Sequence, residues 1–212
     1  MKGSGVNKEV FGLWSVVCCL DLEGVLVPEM WLGVAAKTGI KELELTTREE
    51  PNYDKLMRYR LGILKKHKIS LADIQSVIAK MRPLPGAKSF LDKLRAKYQV
   101  IILSDTFSEF AQPLMKQLGW PTIFCHTLSV DKKGFVTNYH LRTSDQKRKA
   151  VKALQKLNFY VQAAGDSYND LTMLLSADKG ILFRTTDKIK KQYPKLPAVE
   201  NYSQLLKQFG VK

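Results

Sequence analysis

The stretch Trp14-Ser-Val-Val-Cys-Cys-Leu20, followed at once by Asp21-Leu-Glu-Gly24, decides the fold. A short apolar run without polar alternation suits a strand buried on both faces, as in parallel sheets. Val100-Ile-Ile-Leu103, Tyr160-Val-Gln-Ala-Ala164 and Gly180-Ile-Leu-Phe183 repeat the pattern, bounded by Gly, Asp or Ser. Amphipathic helical stripes lie between these runs. Phe107, Phe110, Ala111, Leu114, Met115 and Leu118 form the clearest, with Thr106 and Glu109 spaced as a capping box and Gly119 at the C-terminal cap. Ala150, Val151, Leu154 and Leu157 form another, opened by Ser144 or Asp145. Such alternation predicts an α/β fold, a doubly wound and mostly parallel sheet with its site at the carboxyl ends of the strands.

One region breaks the alternation. Between Glu29 and Arg82 only helical patterns occur, with stripes at Tyr53, Leu56, Met57, Leu61, Leu64 and at Leu71, Ile74, Val77, Ile78, Met81. Pro83-Leu-Pro-Gly86 closes it. The expected organisation is an α/β core of residues 1–28 and 84–212, with residues 29–83 as a small helical cap inserted after the first strand. Thr127 to Leu141 alternates around Asp131-Lys-Lys-Gly134, which predicts a β-hairpin.

The bulk properties narrow the function classes. With 212 residues, 45% hydrophobic and 25% charged, the chain has the composition of a folded protein able to bury a core. Three cysteines, two of them adjacent, exclude a disulfide framework and suit a reducing, cytoplasmic compartment. The apolar run from Val10 to Leu20 is far short of the roughly 20 residues that a transmembrane helix needs. Lys2 and Lys8 precede it, but no small-residue cleavage site follows, so neither membrane nor export is expected. Residues 1–12 are expected to be a loose extension. The net charge of +14 is spread along the chain without aromatic residues at base-stacking intervals, which argues for solvated faces and against nucleic acid. His67, His126 and His140 lack partners at metal-ligand spacing, and Cys18 and Cys19 fall in the first strand as core.

Three acidic or hydroxyl features end predicted strands: Asp21-Leu-Glu-Gly24, Ser104-Asp-Thr106 and Gly165-Asp-Ser-Tyr-Asn-Asp170. One Asp at a strand end is ordinarily a turn or cap residue. Three such features at converging strand ends are hard to obtain by chance. Carboxylates there are costly unless compensated, and a hard divalent cation such as Mg²⁺, which takes oxygen ligands and phosphate, compensates them.

On these residues the chain, over about residues 14–209, resembles the haloacid-dehalogenase-like phosphatase superfamily. Its four motifs stand here as Asp21-Leu-Glu-Gly-Val25, Ser104, Lys147 and Gly165-Asp-Ser-Tyr-Asn-Asp170. Glu23 replaces the usual second Asp. The helical insert with Val27-Pro-Glu29 and Arg60 is similar to that of phosphoserine phosphatases. Asp-Leu-Glu-Gly-Val and Leu-Ser-Asp-Thr-Phe resemble the branch that joins phosphoserine phosphatase to homoserine phosphotransferase, in which Glu is usual at position 23. Asp105 and Thr106 stand where many relatives have glycines.

The resemblance implies that Asp21 is the nucleophile that forms an aspartyl-phosphate and Glu23 the general acid–base. It implies Mg²⁺ on Asp21, Asp166 and the backbone carbonyl of Glu23, with Asn169 and Asp170 behind them. Ser104 and Lys147 would hold phosphate, Lys147 being selected over Arg148 by the family pattern alone. Arg60, inside an otherwise apolar stripe, would grip the substrate carboxylate, and Glu29 would meet its ammonium. The alternative for Arg60 is a snorkelling side chain at the stripe's edge. Trp31 and Met30 either line the pocket or are simply packed. The expected substrate is O-phospho-L-serine, with homoserine as a further acceptor and a homodimer as the assembly considered. Alternatives are a related phosphatase for another small phosphomonoester, or a non-catalytic module with an acidic pocket and a basic surface.

Overall fold

The computed structural model describes residues 15–46, 49–50 and 52–211. Trp14 and the extension at residues 1–12 lie outside them. The strands are β1 (Val16–Leu20), β2 (Gln99–Phe107), β3 (Thr122–Val130), β4 (Val136–His140), β5 (Tyr160–Gly165), β6 (Lys179–Phe183) and β7 (Ala198–Val199). They form one sheet ordered β4-β3-β2-β1-β5-β6-β7, parallel except for β4, which runs antiparallel to β3. The chain winds outward from β1 through β2 and β3, then crosses to β5 on the other side of β1. The topological switch therefore lies between β1 and β5. Leu20 pairs with Ala164 there, and the Asp21 N–H donates to the Ala164 carbonyl at 3.0 Å.

The apolar run of β1 is buried on both faces, as its sequence requires. Cys18 and Leu20 join one hydrophobic cluster while Val17 and Cys19 join the other. Each fully buried aliphatic side chain of this kind contributes about 1.5–3 kcal/mol. Around the sheet lie α1 (Met30–Thr38), α2 (Tyr53–Lys66), α3 (Leu71–Ile78), α4 (Ala87–Arg95), α5 (Ser108–Gln117), α6 (Gln146–Lys156), α7 (Leu171–Ser176), α8 (Asp187–Gln192) and α9 (Tyr202–Gln208).

From α1 to α3 the described elements are all helical, with a 3-10 turn at Lys41–Glu44. Local chemistry sets their ends. The Asn52 side chain accepts from the Lys55 N–H to start α2, Ser70 and Asp73 make a reciprocal capping box for α3, and Gly39 ends α1 in the left-handed conformation. Leu56, Met57, Arg60, Ile63 and Leu64 are the buried face of α2. Polar ties bind this segment over the sheet: Tyr53 Oη donates to the Asp105 carbonyl (2.9 Å), Gln75 Nε2 to the Glu109 carbonyl (2.8 Å) and the Leu71 N–H to the Gly134 carbonyl (2.8 Å). No helix among the described residues is long and apolar enough to cross a membrane.

Several local expectations are corrected. Ser104-Asp-Thr106 does not follow β2 but lies within it. Between Leu103 and Phe107 the β2–β3 register shifts, so these residues bulge toward the site. Thr106 and Glu109 form no capping box, because α5 starts after Phe107 and the Glu109 carboxylate accepts from the Leu128 N–H at 3.1 Å instead. Gly119 does close α5: its N–H meets the Lys116 carbonyl while the Trp120 N–H reaches that of Met115, a Schellman pair. Leu157 is 69% exposed, outside the core stripe, and Asp145 precedes α6 without capping it by its side chain. Sequence periodicity also missed the two-residue β7 and the parallel half of β3 ahead of the hairpin.

Candidate active site

The site lies at the carboxyl ends of β1, β2 and β5, under the α1–α3 segment. Asp21 is buried, and its Oδ1 accepts from the Leu22 N–H (2.8 Å) and from Lys147 Nζ (2.9 Å). The chain then makes a tight loop, with the N–H groups of Leu26 and Val27 returning to the Leu22 carbonyl. Gly24 sits there at φ +76°, and a Cβ on it would lie 2.5 Å from the Asp166 carboxyl carbon. Only glycine lets this loop approach Asp166. Glu23 leaves the loop toward the start of α1, where its Oε1 accepts from the Met30 N–H at 2.6 Å.

From β5, Asp170 is wholly buried. Its Oδ2 accepts from the N–H groups of Asp166 (2.9 Å) and Ser167 (3.1 Å), and its Oδ1 from Lys147 Nζ (2.7 Å). Gly165 permits this, since any side chain would collide with the Asp170 carboxyl. Asn169 Nδ2 donates to Asp105 Oδ2 at 3.3 Å, and its Oδ1 accepts from the Ser167 hydroxyl. Lys147, on the first turn of α6, is buried among Asp21, Asp170 and Asp105, the last at 3.6 Å. Arg148 instead pairs with Asp145 at the surface. Ser104 is buried beside this group, its carbonyl accepting from Gln146 Nε2 at 2.5 Å.

A cavity of about 630 Å³ opens over these groups. Asp21, Glu23, Ser104, Lys147, Asp166 and Asn169 line one side, with Glu29 and Arg60 on the α1–α3 side. Asp170 stays behind the wall. Arg60 is not at a solvent edge. It is 6% exposed, donates from Nη2 to the Leu45 carbonyl (2.8 Å) and lies 4.5 Å from the centre of the Trp31 ring.

Charge is unevenly compensated here. Burial, then Asp170, pushes the Asp166 carboxyl up to about 7, with Glu29 adding to it. Burial and Glu29 push Glu23 to about 7, against the Met30 N–H and Arg60. Burial, Asp170 and Asp166 also hold Asp21 above the usual carboxylate range, partly offset by Lys147. Burial disfavours the charged Lys147, but Asp170, Asp21 and Asp105 outweigh it and keep the ammonium protonated. Oxygens of Asp21, Asp166 and Asp170 lie within 4.8 Å of one another. Asp170 is taken up by Lys147 and two amides, whereas Asp166 lines the cavity. This donor set fits a hard divalent cation.

One consequence is measurable. Carboxyl groups raised on folding stabilise the metal-free protein below their unfolded values near 4, and that stability is lost as pH rises through about 7. The metal-free melting temperature should therefore fall between pH 5 and 8. A divalent cation at 100 times its Kd should return about 2.7 kcal/mol at pH 8, or roughly 5–10 °C. Calorimetry with chelator and with cation checks this, and a flat metal-free pH profile would contradict it.

The sequence places Asp105 in a strand-end feature without giving it a role and does not assign Tyr53 to the site; both line the cavity. Burial works to raise the Asp105 carboxyl, but Lys147, His126 and Asn169 together hold it well below the usual carboxylate range. His126, set aside as a metal ligand, lies with Nε2 3.6 Å from Asp105. The replacement of family glycine by Asp105 was the available signal.

Residues 17–178 match the haloacid dehalogenase-like hydrolase family. The chain is 54% identical over 193 residues to a phosphoserine phosphatase of Pseudomonas syringae pv. tomato, covering 91% of this chain and 81% of the relative. It is 53% identical to phosphoserine phosphatase ThrH of Pseudomonas aeruginosa, covering 91% and 94%. A solved phospho-aspartyl intermediate analogue of phosphoserine phosphatase superposes with TM-score 0.76 at 19% identity, covering 94% of this chain and all of that one, a likeness of fold. With the aspartate-bearing strand ends, the lysine between them and the helical insert in place, the chain belongs to the haloacid dehalogenase-like hydrolases and, within them, to the phosphoserine phosphatase family.

Proposed function

We propose that this chain is an Mg²⁺-dependent phosphoserine phosphatase that acts through an aspartyl-phosphate on Asp21 and also passes the phosphoryl group to homoserine. The observation that carries the reading is one cavity with two faces. Asp21, Lys147 and Ser104 stand on one, and Arg60 and Glu29 on the other. A phosphorylated amino acid needs both: cationic and hydroxyl groups for phosphate, and opposite charges for its carboxylate and ammonium. We read residues 29–83 as the cap that supplies the second face, and residues 1–28 with 84–212 as the core. The close relatives named phosphoserine phosphatase support the substrate class. Three buried free thiols suit a cytoplasmic setting.

In the first half-reaction Asp21 attacks phosphorus, the bond to the serine oxygen breaks and Glu23 gives that oxygen its proton. In the second, Glu23 takes a proton from water, or from the homoserine hydroxyl, as that oxygen attacks the phosphorus of aspartyl-phosphate and Asp21 leaves. Lys147 and Ser104 hold the phosphoryl oxygens, the main protein contribution to this chemistry. Mg²⁺, held by Asp21, Asp166 and the Glu23 carbonyl, would supply charge neutralisation at those oxygens. Burial raises the Glu23 carboxyl toward neutrality, which suits a group that must first give and then take a proton.

Phosphate release from O-phospho-L-serine, with and without Mg²⁺ and homoserine, tests the reading. Mg²⁺-dependent release together with phosphohomoserine is the expected result. Cleavage of an aryl phosphate alone would leave the chemistry and remove the amino-acid pocket. Glu23→Gln should lower kcat for phosphoserine by about 10²–10⁴. It should spare the first half-reaction of an aryl phosphate, whose leaving group needs no proton, so a burst of the phenol would precede slow turnover. Absence of that burst would count against Glu23 as the acid.

A further inference from the structure

We infer that Trp31 is a positioning residue for substrate carboxylate recognition, holding the Arg60 guanidinium against its ring face; this rests on the phosphoserine reading. Arg60 is buried, yet few of its five N–H donors have partners among the described residues. Nη2 meets the Leu45 carbonyl at 2.8 Å, Nη1 reaches only the Met57 sulfur at 4.0 Å, and Nε has no partner among the described residues. No carboxylate makes a salt bridge to it among the described residues, although Glu23 and Glu29 act on it through space. One carbonyl cannot fix a planar group that must meet a carboxylate in a defined orientation.

Trp31 supplies the second constraint. Its ring centre lies 4.5 Å from Arg60 Cζ, within cation–π range, and a desolvated site strengthens that attraction. The ring is itself fixed, being 8% exposed and set edge-on against Phe110 (5.3 Å, 65°), which packs edge-on against Phe107 at 5.6 Å. Phe107 ends β2 three residues after Ser104. A column of three aromatic rings therefore links the arginine on α2 to the strand that carries the phosphate-side serine. Trp31 also lines the cavity, so it shapes the place where a carboxylate meets the guanidinium. The proposal makes Trp31 a determinant of preference for carboxylate-bearing substrates, acting through Arg60 and not on the reacting atoms.

The test compares O-phospho-L-serine with phosphoethanolamine, which keeps the phosphate and ammonium and lacks the carboxylate. In Trp31→Leu, KM for phosphoserine should rise at least tenfold with kcat within threefold, while KM for phosphoethanolamine stays unchanged. Trp31→Phe should restore most of the loss. Because Trp31 is buried and the leucine variant could misfold, fluorinated tryptophans placed at position 31 give a second route. They weaken the ring's negative face and keep its shape, so KM for phosphoserine alone should climb severalfold with each added fluorine. KM values rising together for both substrates, or a phosphoserine KM indifferent to fluorination, would reduce Trp31 to a packing residue. A wild-type enzyme that leaves phosphoserine untouched would overturn the substrate reading itself, and this inference with it.

Discussion

Asp21→Asn should abolish phosphoserine turnover, lowering kcat by about 10⁴–10⁶, while the protein melts at the same temperature or higher. On the proposed reading the loss follows from removing the nucleophile, since an amide is a poor nucleophile; the Asp21 carboxylate stands at the β1 end, 2.9 Å from the Lys147 ammonium. The retained stability is the less obvious half. Asn keeps an oxygen for the Leu22 N–H and for Lys147, and it removes one of three carboxylates whose oxygens crowd within 4.8 Å. Burial and the neighbouring carboxylates disfavour the ionised Asp21, so replacing it with a neutral amide removes a cost to the fold that the activity requires. Rapid quench with labelled phosphoserine checks the first half: wild type should carry a hydroxylamine-labile phosphoryl group, and the variant none. Calorimetry checks the second. A melting temperature lowered by 10 °C would mean that the Asp21 charge is chiefly a structural partner of Lys147. Label persisting on the variant would move the nucleophile elsewhere.

How far such a site is legible depends on the kind of contact that builds it. Asp21, Glu23 and Asp166 stand out because an apolar run with no alternation can only be an interior strand, and a carboxylate at its end must lie at the sheet's edge. Arg60 stands out because guanidinium in an apolar stripe is costly without a reason. Position in the chain marks Asp105 but does not reveal its partners. Its carboxylate meets His126 and Asn169 because β2 and β3 slip register after Leu103, and slippage leaves no periodic trace. Tyr53 likewise read as the first residue of an apolar stripe. Its ring does belong there, but its hydroxyl crosses to the Asp105 carbonyl, a tie that exists only once α2 is docked. Thr106 and Glu109 had capping-box spacing and lost it to competition, because Glu109 found the Leu128 N–H. Local patterns hold where nothing distant competes for the same donor or acceptor.

The same logic makes Lys147→Met costly to the fold itself. The Lys147 side chain is 3% exposed, and its ammonium contacts Asp21, Asp170 and Asp105 at 2.9, 2.7 and 3.6 Å. Methionine has nearly the same volume, so packing is kept and only the charge is lost. Breaking a buried ion pair from one side leaves uncompensated charge and costs about 3–5 kcal/mol, here roughly 6–20 °C in melting temperature. Turnover should fall by about 10²–10³ besides, from the lost stabilisation of phosphoryl oxygens. Arg148 cannot stand in, since its side chain is at the surface with Asp145. Two rescues separate the effects. Adding Asp170→Asn should recover about 0.5–3 kcal/mol, because it removes a carboxylate that no longer has its cation while keeping an oxygen for the Asp166 or Ser167 amide. It should recover no activity. Saturating Mg²⁺ should raise the melting temperature of Lys147→Met more than that of wild type, because the ion then meets a more negative site. If the single variant melts like wild type, the three carboxylates are protonated in the fold and Lys147 is not their partner; if the double variant regains turnover, the phosphate is held by another cation.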